Sequence, residues 1–347
     1  MNRLGLISLW FLLCSPALFA DTLPFYAQWR SLNTMYYDGS QTGKELSWDE
    51  LYHAEFGFRG LQHKAVQLDL ALETEQFFDR SRIMLKTIEI SGRINPLWAI
   101  AAGSREHGFA KGFMMDEQPA LMRGYQSYNF QQMRLNALRI SHIPSSSSSM
   151  FSLEIGGNIH NQAVAMFSWH QWSESIELNA SQELRTMDSH WRTPVAISGV
   201  DLSFASQVNK LRTVAALSLL PEVDSTVAHH ELFTQAELEH SIFPTTNLAL
   251  AAMLKMQDYA PRQTERYQVR LSQDLSEAIS LSPIIELNII DGSRFWWQRI
   301  LINYQALPAC DVGIYYDYSH FQTTEGRHSV GLALAFGVDL ARPHTRL

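Results

Sequence analysis

Apolar residues recur at every second position over most of the chain. In 328–340 one face is Val330, Leu332, Leu334, Phe336, Val338 and Leu340, and the other is Ser329, Gly331, Ala333, Ala335, Gly337 and Asp339. A period of two belongs to β-strands, whose side chains alternate between faces, and not to the 3.6-residue turn of a helix. The same alternation runs through Phe151, Leu153, Ile155 and Ile159, through Val66, Leu68, Leu70 and Leu72, and through Ile176, Leu178 and Ala180. It returns in Leu248, Leu250, Leu254 and Met256, in Tyr267, Val269 and Leu271, and in Val312, Ile314, Tyr316 and Tyr318. Each set opposes polar or small neighbours, so one face of a long antiparallel sheet is apolar and the other mostly polar.

The pattern predicts strands at 53–62, 65–76, 83–94, 97–105, 133–143, 150–160, 163–171, 175–183, 195–206, 211–220, 231–241, 247–257, 265–274, 278–290, 295–306, 311–319 and 328–340. A weaker segment at 24–32, with Phe25, Ala27 and Trp29 on one face, raises seventeen to eighteen; sixteen results if two weak segments are loops. Strands of a soluble sandwich average about five to six residues, whereas strands that cross a bilayer need about nine to eleven. The segments 248–257, 295–306 and 328–340 have the longer length. Aromatics near segment ends (Trp169 and Trp172; Phe295, Trp296 and Trp297; Tyr316 and Tyr318) read as interfacial anchors. Short turns and longer loops (33–52, 106–132, 184–194, 221–230, 258–264 and 320–327) fall on opposite sides, with brief exceptions near Asn161 and at Asp291-Gly292. The expected fold is therefore all-β, a closed antiparallel transmembrane β-barrel of about eighteen strands with both termini in the periplasm. Closure satisfies every backbone donor and acceptor in lipid.

Residues 1–20 carry Arg3, an apolar run from Leu4 to Leu13, Pro16 and a small Ala20, the form of a secretory signal peptide cleaved after Ala20. The rest, 21–347, is expected to be one barrel domain. Cleavage would leave Cys310 alone, since Cys14 departs with the signal, and no internal disulfide could form.

Composition changes the picture less than order does. The chain is 46% hydrophobic and 18% charged, values that a soluble enzyme could share. An aromatic content of 11% argues against disorder. The longest stretch free of Asp, Glu, Lys and Arg beyond the amino terminus, Ile155 to Ser173, is interrupted by Asn158, His160, Asn161, Gln162 and His170, so it cannot be a membrane helix. With 27 basic against 35 acidic residues and no dense basic cluster, nucleic acid is not an expected partner.

Through its signal, its alternating segments and its final strand SVGLALAFGVDL, the chain resembles the bacterial outer-membrane β-barrel proteins as a broad class. Residues 92–113, GRINPLWAIAAGSREHGFAKGF, look like strand-turn-strand-loop passages of porin-like barrels. The resemblance implies an outer-membrane location, contact with membrane lipid and lipopolysaccharide, and insertion by the barrel-assembly machinery. That machinery commonly recognises a last strand ending in an aromatic residue; here Phe336 lies inside the strand, which bears on the insertion signal and not on the fold.

Such a barrel is wide enough for an aqueous lumen. Alternation assigns thirteen acids to the inner face, Glu55, Asp69, Glu73, Glu89, Glu154, Glu177, Asp201, Glu237, Glu239, Asp274, Glu286, Asp311 and Asp317. It assigns six bases, Arg59, Arg93, Arg212, Lys255, Arg270 and Arg299, and the imbalance predicts mild cation preference if the lumen is open. The bland reading makes the same residues solvated or mutually paired, without a selective role. The longest internal loop, 106–132, with Lys111, Asp116, Glu117 and Arg123, is the candidate constriction; the alternative is a surface loop shielding the rim.

Thirteen histidines raise the question of an enzyme, but neither GxSxG nor HExxH occurs. His229 and His230 beside Glu231 read as exposed loop residues, since neighbours on a strand would point opposite ways. No catalytic, metal or cofactor site is assigned. Two functions remain: a porin-like channel for small hydrophilic solutes, and a plugged barrel serving as scaffold or assembly partner of an export or surface-polymer complex. Partners could also include further copies of the chain.

Overall fold

The computed structural model describes residues 25–38, 46–63, 66–77, 80–109, 130–144, 148–158, 162–186, 194–221, 228–258, 262–307, 310–321 and 326–339. They form eighteen strands and, among the described residues, no helix. In chain order these are β1 (Phe25–Asp38), β2 (Leu46–His63), β3 (Val66–Phe77), β4 (Arg80–Asn95), β5 (Trp98–Phe109), β6 (Phe130–His142), β7 (Ser149–Asn158), β8 (Ala163–Trp172) and β9 (Ile176–Thr186). There follow β10 (Pro194–Ala205), β11 (Asn209–Pro221), β12 (Ala228–Phe243), β13 (Thr246–Gln257), β14 (Arg262–Asp274), β15 (Ile279–Ile290), β16 (Ser293–Leu307), β17 (Cys310–Phe321) and β18 (Arg327–Asp339). The proposed signal 1–20 and the tail beyond Asp339 lie outside the described residues.

Each strand pairs antiparallel with its neighbours in sequence, and β1 closes on β18 from Tyr26↔Asp339 to Asp38↔Arg327. The sheet is an up-and-down barrel without a crossover. Several strands outrun the predicted segments. The weak 24–32 segment continues to Asp38 and β2 begins at Leu46, so strands take in both flanks of the first expected loop; β5 and β6 likewise take in 106–109 and 130–132 of the loop expected at 106–132. Extra rungs form because a cross-strand partner is available even where alternation has faded, and pairing itself stabilises the strand ends.

The turns carry recognisable chemistry. Ser173 Oγ accepts from Ile176 N at 3.1 Å, Ser206 Oγ from Asn209 N at 3.0 Å and Ser276 Oγ from Ile279 N at 3.1 Å, the same serine turn used three times at one end. At that end too, Asn95 Oδ1 accepts from Leu97 N and Trp98 N. Opposite, β15 and β16 join through Asp291 (φ 50°) and Gly292 (φ 81°), the pair of left-handed residues that a two-residue hairpin turn requires.

The outer face is an apolar belt, exposed as lipid contact demands: Ile90, Leu153, Val269, Ile285, Ile300, Ile302 and Ile314 all project outward. Trp169 and Trp296 project outward as expected, whereas Tyr316 faces lipid near midstrand opposite Ile300, and Trp172 shares the face of His170 and Glu177 at the end of β8. Phe295 and Trp297 do not project outward. They lie 8% and 3% exposed on the inner face, on either side of the outward Trp296, because three successive residues of one strand cannot share a face.

Candidate functional site

Eighteen strands tilted as in known barrels set a backbone diameter of about 35 Å if the cross-section is round. Inner side chains of an empty cylinder that wide would be wet. Over β9–β17 they are shielded instead: Ile197 and Glu183 are fully buried, and Phe233, Tyr315 and Trp297 nearly so. They pack against one another along this wall.

That wall is also less polar than alternation predicts. Val195, Ile197, Val214, Ala216, Phe233, Ala249, Ala251 and Met253 form one buried apolar cluster across the inner faces of β10–β13. Both faces of β10 and β11 are rich in apolar residues, as in VAIS and VAALSLL, so the period alone leaves the inner face unassigned.

Around the cluster runs a belt of ion pairs. Arg105 meets Glu154; Arg139 Nη2 lies 2.8 Å from Glu89, Arg212 Nη2 2.9 Å from Asp201, and Lys255 Nζ 2.8 Å from Glu231. Arg185 meets Glu183 at 2.6 Å, Arg266 meets Glu286 at 2.7 Å, and Arg299 Nε donates to Asp317 at 2.6 Å. Glu286 accepts also from Gln268 Nε2 at 2.7 Å and Asn288 Nδ2 at 2.8 Å. The Arg299 guanidinium lies over the rings of Trp297 (5.0 Å) and Tyr315 (4.4 Å), a cation held by aromatic faces as well as by its carboxylate.

The structure thus places Glu89, Glu154, Asp201, Lys255, Glu286, Arg299 and Asp317 in pairs on the inner wall, with Arg212 as the partner of Asp201. Glu177 pairs with His170 at 2.9 Å, and Glu239 lies 3.6 Å from Lys210. Glu55 accepts from Tyr26 Oη at 2.7 Å, Asp69 from Gln67 at 3.1 Å, and Glu237 stands opposite Arg212. Arg270 is flanked by Ala249 and Ile284, with no ion pair among the described residues. The side chains of Arg59 and Glu73 lie outside the described residues, as do Lys111, Asp116, Glu117 and Arg123. Sequence reasoning overlooked Arg105, Arg139, Glu183, Arg185, Lys210, Glu231 and Arg266 as members of this wall. For Arg139 and Arg266 the signal was available, since Leu138 and Ile140 mark the outer face on either side of Arg139, and Tyr267 and Val269 fix the outward phase just after Arg266. Arg185 lies beyond the predicted end of its strand.

His229 and His230 belong to β12 rather than to a loop. Two contacts tie them down: His229 Nδ1 lies 3.5 Å from Asp258, and His230 N donates to Asp258 Oδ1 at 2.8 Å.

Two hollows open along the wall. One of about 520 Å³ lies against β3–β7, lined by Gln67, Ser91, Arg93, Arg139 and Ser141. The other, about 610 Å³ at the serine-turn end, is lined by Asp274, Glu277, Ser280, Asn303, Gln305 and Asp311; its lining holds three carboxylates and no basic side chain. Pairing therefore neutralises much of the acid predicted for the lumen, and an unbalanced acidic group gathers at this mouth.

No family model matches the chain, and no curated protein matches it in sequence. Solved structures do share its fold. A BenF-like porin from Pseudomonas fluorescens Pf-5 superposes with a TM-score of 0.59 at 5% identity, covering 92% of this chain and 100% of that one. OpdO of Pseudomonas aeruginosa gives 0.55 at 8% identity over 91% and 98% of the two chains. OccD3 (OpdP) of the same species gives 0.53 at 10% identity over 92% of each.

Proposed function

Because this chain is a bacterial outer-membrane β-barrel, we propose that it is a porin-like channel through which small hydrophilic solutes diffuse, with a mild preference for cations. The observation that carries the reading is the inner wall, a belt of cross-strand ion pairs leading to an acidic mouth, inside a barrel of the architecture used by porins. Paired charges keep the wall wettable while cancelling most of its field. The unbalanced carboxylates Asp274, Glu277 and Asp311 then bias which ions enter.

The protein in planar bilayers is expected to give stepwise conductance, with a reversal potential in a salt gradient that favours cations. Asp274→Asn, Glu277→Gln and Asp311→Asn together should move that potential toward zero at unchanged fold. A wild-type reversal potential at zero or on the anion side would remove the preference. The candidate constriction belongs to the same reading: deletion of residues 108–124 should raise single-channel conductance, and unchanged conductance excludes the role.

The shielded wall over β9–β17 favours a second reading, a plugged barrel that acts as a scaffold for an export or surface-polymer complex. Such a barrel would be silent in bilayers and would copurify with envelope partners.

A further inference from the structure

On the outer face of β8–β12, the lipid belt is broken. Gln182 and Ser198 stand opposite each other across β9 and β10, both exposed, with Ser198 Oγ donating to Gln182 Oε1 at 2.6 Å. They lie within the apolar band and not at its rim. Leu178, Ala180 and Leu184 share the face of Gln182, Val200 and Leu202 that of Ser198, and Phe167 and Leu217 stand in the adjoining rungs. Here the wall is also dented, with a groove of about 440 Å³ between Phe167 and Trp169 on one side and Leu217 and Leu232 on the other. The Gln182 amino group has no hydrogen-bond partner among the described residues. A donor at hydrocarbon depth is costly when nothing accepts from it.

We propose that this face is where a second copy of the chain docks, about a two-fold axis normal to the membrane that passes beside Gln182. Both copies insert with the same polarity, so such an axis brings each residue near it against its own counterpart at the same depth. A carboxamide suits that position because it is self-complementary, each amino group donating to the other copy's carbonyl oxygen. Acyl chains filling the groove would leave the donor unmet. On a barrel about 35 Å across the two walls curve apart beside the axis, so the contact is a strip a few strands wide, smaller than the ~800 Å² that each partner of a standard pair contributes, and the carboxamide pair at hydrocarbon depth carries its specificity.

The full chain, without its native cysteines (Cys14→Ser, Cys310→Ser), tests this in outer membranes. Gln182→Cys should cross-link on oxidation so that most of the protein runs as a dimer on non-reducing gels, while Leu332→Cys on the far wall stays monomeric. With the cysteines native, Gln182→Leu should weaken detergent-phase dimerisation at least tenfold. This variant adds no polar group to the lipid face, and its migration before and after boiling confirms folding. The proposal is overturned if Gln182→Cys stays monomeric in a folded barrel, which would give the groove to lipid or to another protein. It is equally overturned if Gln182→Leu dimerises as tightly as the parent. Neither outcome bears on conductance, so the channel reading is tested separately.

Discussion

Replacing Glu286 by leucine is expected to destabilise the barrel by about 3–5 kcal/mol, the range for breaking a buried ion pair from one side. Glu286 is fully buried and its partner Arg266 is 3% exposed. One carboxylate accepts from Arg266, Gln268 and Asn288, so its removal takes the same acceptor from a buried cation and two buried amides. Denaturant midpoints of the detergent-solubilised protein, followed by migration of unboiled samples, measure the loss. Arg266→Met in the same chain should recover a large part of it, because the remaining uncompensated charge is then gone. A midpoint unchanged by Glu286→Leu would mean that luminal water replaces the carboxylate.

The second large effect is on the other face of the wall. Ile300 lies near the middle of β16 and is 49% exposed to the outside, with Pro283 and Tyr316 in register on either side. Arginine there must place its charge in hydrocarbon, at about 2–4 kcal/mol for a midplane position. Asn303, three residues along, faces the acidic mouth, and Asn303→Arg should change stability by less than about 1 kcal/mol. The two variants measured side by side in lipid vesicles compare the two faces directly; equal losses would contradict the assignment of inside and outside.

Much of this was legible in the chain. Phe336, Leu334 and Leu332 against Ala335, Ala333 and Gly331 disclose a strand with one lipid face, and eighteen such segments disclose a barrel, because alternation is a local property of consecutive residues. The inner wall was only half legible. Parity places Glu89 and Arg139 on the inner face but does not say that they meet across β5, which depends on register between strands that are not neighbours. Trp297 looked like a lipid anchor for the same reason: an aromatic triplet names its residue type, and only its phase within the strand decides which ring turns inward.

The sequence by itself determined the barrel, the order of its strands and the apolar belt, since each follows from period two and from the lengths of turns between segments; it put the strand count at sixteen to eighteen, and pairing of the weak first segment on both sides fixed eighteen. Tertiary structure decided which charges neutralise each other, where the acidic excess gathers, and that one wall is apolar on both faces. Those properties belong to the register between strands, which sets opposite one another residues tens of positions apart and joins the inner faces of several strands into one surface. No window of consecutive residues contains that arrangement.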